Sequence, residues 1–488
     1  MKLKKIILEN WIIIAILVIA TLLRFYRLHD LTTFSGDQGY DFLKVKEILE
    51  GNLTLLGPKI GPYNQLGNLY LGPAYYYLLA PALFLFRLDP IGSAVLTAVL
   101  SIGTIYVIYL IGINFFSKNI AVLSALLFAI NPFLINQSKA ASNPHLIPFF
   151  SSIAVFATMH TLVKKRKQII RPLLSGFSLG IIFQLHYLAI SLVIAVLITL
   201  LFLKNYRNIT HVIAAFLLAV SPQIIFELRH DFFVTNLFIR QLQDGQSLST
   251  FQTALENFHL SIKQMSQTLF LSGNYLLLFT PFFVSLIFLV SKKFKMFLFL
   301  PILFNLVLAS LYTNGPSEHY FSTVYPHIVL IISVAFFTIF NRFNNTVPKI
   351  ILSVFLILLI INSMSKLDLD NRNGYTMPQG WNLSGVKKAS QIIASDVDLG
   401  KKFNVAATLD GDTRAMPYRY LLKVYGKQPL DVEHYPDAQI LYLISREQES
   451  EIYHKTVWEI ASFAPFTIKK QWPIQNGITL YRIEKYIN

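Results

Sequence analysis

Residues 74–86 read AYYYLLAPALFLF, and whether these thirteen residues cross a membrane decides the topology of everything after them. A helix needs roughly 17 to 25 apolar residues to span the hydrocarbon core, so this run is too short, and Pro81 interrupts it. Longer apolar runs lie to either side: 11–23 before it, then 92–113, 119–136, 145–163, 172–186, 188–203, 209–226, 268–290, 296–312, 320–340 and 348–364. If residues 74–86 stay on one face as a re-entrant or interfacial helix, sixteen Lys and Arg residues fall on the side of the N-terminus. They include Lys2, Lys4, Lys5, the KKRK run at 164–167 and Arg171. The connections between spans on the opposite side, beyond the first loop, then hold only Lys139, Arg229, Arg240 and Lys263. Basic residues concentrate in cytoplasmic loops, so the expectation is eleven spans with the N-terminus inside. A crossing at 74–86 would put KKRK outside.

Composition supports a membrane protein. Of 488 residues, 54% are hydrophobic and only 14% charged, against roughly 25% charged in a soluble domain. The net charge of +16 is explained by basic cytoplasmic loops, so no nucleic acid partner is expected. Cysteine is absent, which excludes disulfide frameworks, zinc knuckles and thiol chemistry. The basic start and apolar run at 11–23 resemble a signal peptide, but no small-residue cleavage site follows and Arg24 and Arg27 come directly after. The segment is expected to be a retained helix.

The expected organisation is a transmembrane domain, residues 1–364, with outer loops at 25–91 and 228–265, followed by a C-terminal outer-side α/β domain, residues 365–488. The composition shifts at LDLDNRNGYTMPQGWN, where Asn, Asp, Gly and Pro replace the apolar run. Beyond it, strands are expected at 403–409 and 439–444, and helices at 383–394 and 415–425. The protein is expected in the plasma membrane, surrounded by lipid.

The first outer loop holds the most informative carboxylate. In FSGDQGYDFLKVKEILEGN, Gly36 and Gly39 flank Asp37, and residues 40–49 form an amphipathic helical pattern. Asp37 at such a helix start is either an N-cap or a carboxylate that orients or deprotonates an acceptor beside a membrane cavity. Farther on, Tyr75 and Tyr76 fit either an interfacial aromatic belt or a wall for a sugar ring. Lys59, among turn residues, meets either solvent or a phosphate. Arg229, His230 and Arg240 in the 228–265 loop are candidate phosphate contacts, or partners of lipid headgroups. His145, His186 and the Glu318, His319, Tyr320 trio lie at outer helix ends, where polar groups pack or line a cavity. These carboxylates and imidazoles on one side make a divalent cation conceivable, but no short ligand spacing such as HxxxH occurs.

The order of an Asp-bearing outer loop, the GPAYYYLLAP segment, many helices and a C-terminal outer region resembles the GT-C superfamily of membrane glycosyltransferases. It is most similar to the protein O-mannosyltransferase-like branch that includes the lipid A aminoarabinose transferases. The resemblance implies a sugar donor on a polyprenyl phosphate, an inverting transfer to a lipid, glycan or protein acceptor on the outer face, and Asp37 as the catalytic carboxylate. There are three departures. Gln38 stands where the family often has Glu, Asn143 where a second acidic residue is expected, and Leu71-Gly72 where a Lys commonly precedes the tyrosines. The competing classes are a lipid or glycan transporter, which would carry midplane ionisable groups and repeated halves, and a non-catalytic scaffold.

Overall fold

The computed structural model describes residues 2–60, 69–163, 169–243, 249–270, 292–313, 315–371, 373–398 and 400–486. Its N-terminal part comprises α1 (Lys2–Phe25), α2 (Leu28–Leu31), α3 (Gly36–Leu49), a two-residue strand pair β1 (Lys59–Ile60) and β2 (Leu69–Tyr70), and α4 (Ala74–Leu85). There follow α5 (Ile91–Phe115), α6 (Lys118–Ile130), α7 (Pro132–Gln137), α8 (Ile147–Val163), α9 (Ile170–Leu185), α10 (Ile190–Phe202), α11 (Tyr206–Ala219) and α12 (Ser221–Arg229). Next come α13 (Phe233–Gln243), α14 (Phe251–Phe270), α15 (Lys292–Ser310), α16 (Tyr325–Arg342) and α17 (Thr346–Met364). The C-terminal part holds α18 (Leu383–Asp396), β3 (Phe403–Ala407), α19 (Met416–Val424), β4 (Ile440–Ser445), β5 (Phe466–Gln475) and β6 (Ile478–Lys485).

Several expected spans are interrupted, each for an identifiable reason. The run 119–136 divides at Asn131-Pro132 into α6 and α7. Pro132 has no N–H for the carbonyl of Phe128 four residues back. Arg24, buried at the end of α1, supplies the missing donors: its Nη2 reaches Phe128 O at 3.3 Å and its Nη1 reaches Ala129 O at 2.9 Å. Asn131 caps α7 through Leu134 N at 3.0 Å, and its amide donates to Thr268 O and Leu269 O on α14. The run 209–226 is likewise bent, by 61° between α11 and α12, where Pro222 opens the second helix.

Among the described residues, four helices are long and apolar enough to cross a membrane by length and composition, or five counting the bent pair. Shorter apolar helices cover the other expected runs, except 268–290, which lies largely outside the described residues, and Ala74–Leu85 is itself one of the short ones. Eleven crossings with residues 74–86 not crossing remain a proposal, which rests on the asymmetry of basic residues. The chain lacks cysteine, so single cysteines at Lys165, outside the described residues, and at the exposed Gln428 carry an unambiguous label. Labelling from opposite sides of a sealed vesicle is expected; labelling of both from one side would overturn the odd span count.

The C-terminal sequence folds into a four-stranded sheet of order β3-β4-β6-β5. β3 and β4 are parallel, while β6 pairs antiparallel with both β4 and β5. The expected strands and helices fall on β3, β4, α18 and α19, and β5 and β6 add a hairpin. Its turn is Asn476-Gly477, both with positive φ, as a two-residue hairpin turn requires. Residues of α18, α19 and the sheet share one buried cluster with α1, α3 and α4. This region is thus packed directly onto the 25–91 segment. Phe34 and Phe42 stack at 5.4 Å, and Tyr420 meets both edge-on at 5.9 and 5.6 Å. Lys387 pairs with Asp89 at 2.6 Å, and the Tyr420 hydroxyl donates to Leu88 O at 2.7 Å.

Candidate functional site

Helix α3 begins at Gly36 because Ser35 and Gln38 close a capping box, with Ser35 N–H donating to Gln38 Oε1 at 3.1 Å. Ser35 is therefore the cap, and Asp37 is released from that duty to sit in the first turn, where the helix dipole favours negative charge. The Gln38 departure also acquires a local role. Asp37 is exposed, and its neighbour Gly36 lines a small recess with Asp410 and Asp412 of the C-terminal region. Partial burial and the Asp412 carboxylate raise its pKa above the ordinary value, while Arg414 acts in the opposite direction.

Asp41, one turn on, accepts a hydrogen bond from the Tyr76 hydroxyl at 3.0 Å and is buried, which pushes its pKa well up. The structure thus encloses Asp41 between α3 and α4. Tyr75 is also buried, and its hydroxyl donates to Ala141 O at 2.9 Å. Tyr75 and Tyr76 therefore belong to the inner wall, whereas Tyr77 is exposed and donates to Thr54 O.

Lys59 pairs with Tyr70 across the β1–β2 ladder, and its ammonium lies 5.7 Å from the ring centroid of Tyr40 and 5.8 Å from that of Tyr70. Tyr40 is on α3 one turn beyond Asp37. The cation is exposed, so the aromatic faces hold it without neutralising it. Helix α13, which bears Arg240, packs on β2.

A second group gathers at the ends of the helices. Asn143 donates to Leu185 O at 2.7 Å, and His145 bonds Ala140 O. The His186 ring lies 5.4 Å from His319 and 5.3 Å from Tyr320. Enclosure and the neighbouring His145 lower His319 to about 4, so its imidazole is neutral at physiological pH and hydrogen-bonds Ser317 Oγ at 2.8 Å. Glu318 accepts from the Tyr375 hydroxyl at 3.3 Å, and Thr33 bonds Tyr375 O, which links this group to the segment that enters α3. Arg229, His230 and Arg240 are exposed, and among the described residues no hydrogen bond or ion pair ties them to Asp37. His230 instead stacks on Phe226 at 4.1 Å. Among the described residues, no three His, Asp or Glu side chains are grouped to hold a metal ion.

Sequence reasoning missed Tyr40, Tyr70, Asp410, Asp412 and Arg414. The signal available for the last three was a Gly-containing acidic turn directly after a strand, in TLDGDTR.

Residues 71–226 match the sequence model of the family described as dolichyl-phosphate-mannose-protein mannosyltransferase, a stretch that begins after Asp37. No curated protein sequence matches. The fold is similar to ArnT from Cupriavidus metallidurans bound to undecaprenyl phosphate, with 10% identity, 97% of this chain and 98% of that chain covered, and a TM-score of 0.62. It is also similar to the archaeal oligosaccharyltransferase AglB from Archaeoglobus fulgidus in complex with an inhibitory peptide and a dolichol-phosphate. There the identity is 13%, the coverage 93% and 71%, and the TM-score 0.51. The arabinofuranosyltransferase AftD from Mycobacteria matches at 12% identity over 97% of this chain and 40% of that chain, with a TM-score of 0.57. The chain is an integral membrane protein that shares its fold with ArnT, AglB and AftD, and its residues 71–226 match the mannosyltransferase family model.

Proposed function

We propose that the protein is an inverting glycosyltransferase that moves a sugar from a polyprenyl phosphate to an acceptor hydroxyl or amine on the extracytoplasmic face. The observation that carries this is an accessible carboxylate, Asp37, in the first turn of an outer-loop helix, with an aromatic-held cation, Lys59, beside the same helix. The similarity to ArnT bound to undecaprenyl phosphate and to AglB with dolichol-phosphate supports a lipid-linked donor.

The chemistry needs only these parts. As the acceptor attacks the anomeric carbon, the carbon–oxygen bond to phosphate breaks and the phosphate leaves with the electron pair. A phosphate is weakly basic, so no general acid is required. Asp37 takes the acceptor's proton as the new bond forms, and attack opposite the phosphate inverts the configuration. A glycosidase would instead need two carboxyls across the scissile bond. Lys59, or Arg229 from the 228–265 loop, counters the charge of the donor phosphate.

Purified protein supplied with a polyprenyl-phosphate sugar and candidate acceptors should release polyprenyl phosphate and form the glycosylated acceptor. Movement of the donor across a vesicle without release would favour the transporter alternative. Repeating the assay with a chelator measures any need for a divalent cation. Lys59→Ala or Arg229→Ala should raise donor KM roughly fivefold, the scale of a solvent-exposed charge contact, and leave acceptor KM unchanged. An unaltered donor KM removes that residue from the site.

A further inference from the structure

The 408–415 loop reaches Asp37 from a part of the chain that the proposed chemistry does not use. It is held firmly. Arg414 makes a bidentate contact with Asp412, Nε to Oδ1 at 2.7 Å and Nη2 to Oδ2 at 3.1 Å, and its own N–H donates to Asp412 Oδ1. The buried Arg419 donates to Arg414 O at 2.7 Å from beneath, and Ala407 N–H is tied to Thr413 O. Asp412 in turn lies against the first turn of α3: a Cβ added to Gly36 would stand 2.5 Å from Asp412 Oδ2. A glycine next to Asp37 thus admits a second carboxylate, and that carboxylate is clamped by an arginine.

We propose that Arg414 is a positioning residue of the Asp37 site, holding Asp412 in a bidentate ion pair so that this second carboxylate can sit beside Asp37 without forcing it to keep its proton. The inference rests on the assignment of Asp37 as the acceptor's base. The charged and titratable groups around Asp37 are Asp412, Arg414 and Asp410 from the loop, Asp41 from its own helix, and Tyr75 from α4. Of these, Arg414 is the cation. Without it, the negative charge of Asp412 disfavours ionised Asp37, so the titration midpoint of Asp37 moves up; without Asp412, the midpoint moves down. Both side chains of the pair are partly exposed, so solvent limits each shift.

The test measures Asp37 directly. pH-difference infrared spectra of the purified protein, with the spectra of the matching D37N variant subtracted, give its midpoint in the wild type, R414Q, R414K and D412N. The expected result is a rise of about one pH unit in R414Q, a fall in D412N, and a midpoint near that of the wild type in R414K, which keeps the charge. The acid limb of the activity profile should move with the midpoint. Unchanged midpoints in R414Q and D412N overturn the proposal. A lower turnover at every pH with an unmoved acid limb does so as well, since that is what a merely structural role predicts. If R414Q fails to fold, the isosteric D412N decides alone. Full activity in D37N would instead remove the assignment of Asp37, which leaves the two failures distinguishable.

Discussion

Asp37→Asn should lower the rate of sugar transfer by roughly 10² to 10⁴, the usual contribution of a positioned general base, with donor KM nearly unchanged. The substitution keeps the size of the side chain and removes the charge that accepts the proton. Asp37 is exposed and the helix is capped by Ser35, so the melting temperature should stay close to that of the wild type. That separation matters, because Asp41→Asn nearby disturbs a buried carboxylate that accepts the Tyr76 hydroxyl, and should affect folding as well as rate. Stopped or single-turnover transfer from a lipid-linked donor measures the effect. A D37N protein that transfers at the wild-type rate would refute the assignment, and Glu318, half-buried and bonded by Tyr375, would be the next carboxylate to examine.

What the sequence made legible follows from which signals are local. Hydropathy located the helices, and the short run at 74–86 forms the short apolar helix α4, with Pro81 inside it. The periodicity at 40–49 announced α3, and the Ser-x-x-Gln pattern at Ser35 explains why that helix starts four residues earlier. The Asn-Gly pair at 476–477 is a strong local hairpin signal, so β5 and β6 could have been read from it. The breaks within spans were partly legible at Pro132 and Pro222; the remedy for the first, a buried Arg24 donating to α6 carbonyls, was not. Contacts between residues distant in sequence leave no periodic trace. Nothing in the first loop announces that Phe34 and Phe42 wait for Tyr420, or that Gly36 makes room for Asp412. Half of the candidate site was therefore visible as residue types, while its other half, the C-terminal loop, emerged only from packing.

Gly39→Ala should disrupt the packing of α3 on the C-terminal region, because the site leaves no space for one methyl group. Its Cβ would lie 2.4 Å from Met416 C and from Pro417 N, both backbone atoms at the start of α19. Alanine is the better helix former by about 1 kcal/mol, so propensity alone predicts a more stable α3. The clash outweighs it. A backbone neighbour cannot rotate away as a side chain can, so either α3 and α19 separate or one of them deforms, and overpacking typically costs about 1 to 3 kcal/mol or more. Separation would also open the Phe34, Phe42 and Tyr420 cluster, each ring now fully buried or nearly so. Gly36→Ala provides the contrast, since its added Cβ meets the Asp412 side chain and no backbone atom, so the strain falls on the Asp412–Arg414 pair and not on the packing of α3 against α19. The expected result is a lowered melting temperature in detergent and faster proteolysis of the 365–382 segment for G39A, with G36A destabilised less. G39A should also lose transfer activity, because α3 carries Asp37 and the C-terminal region holds α3 in place. A G39A protein that melts and resists protease like the wild type would show that the two helices do not abut as closely as the structure places them.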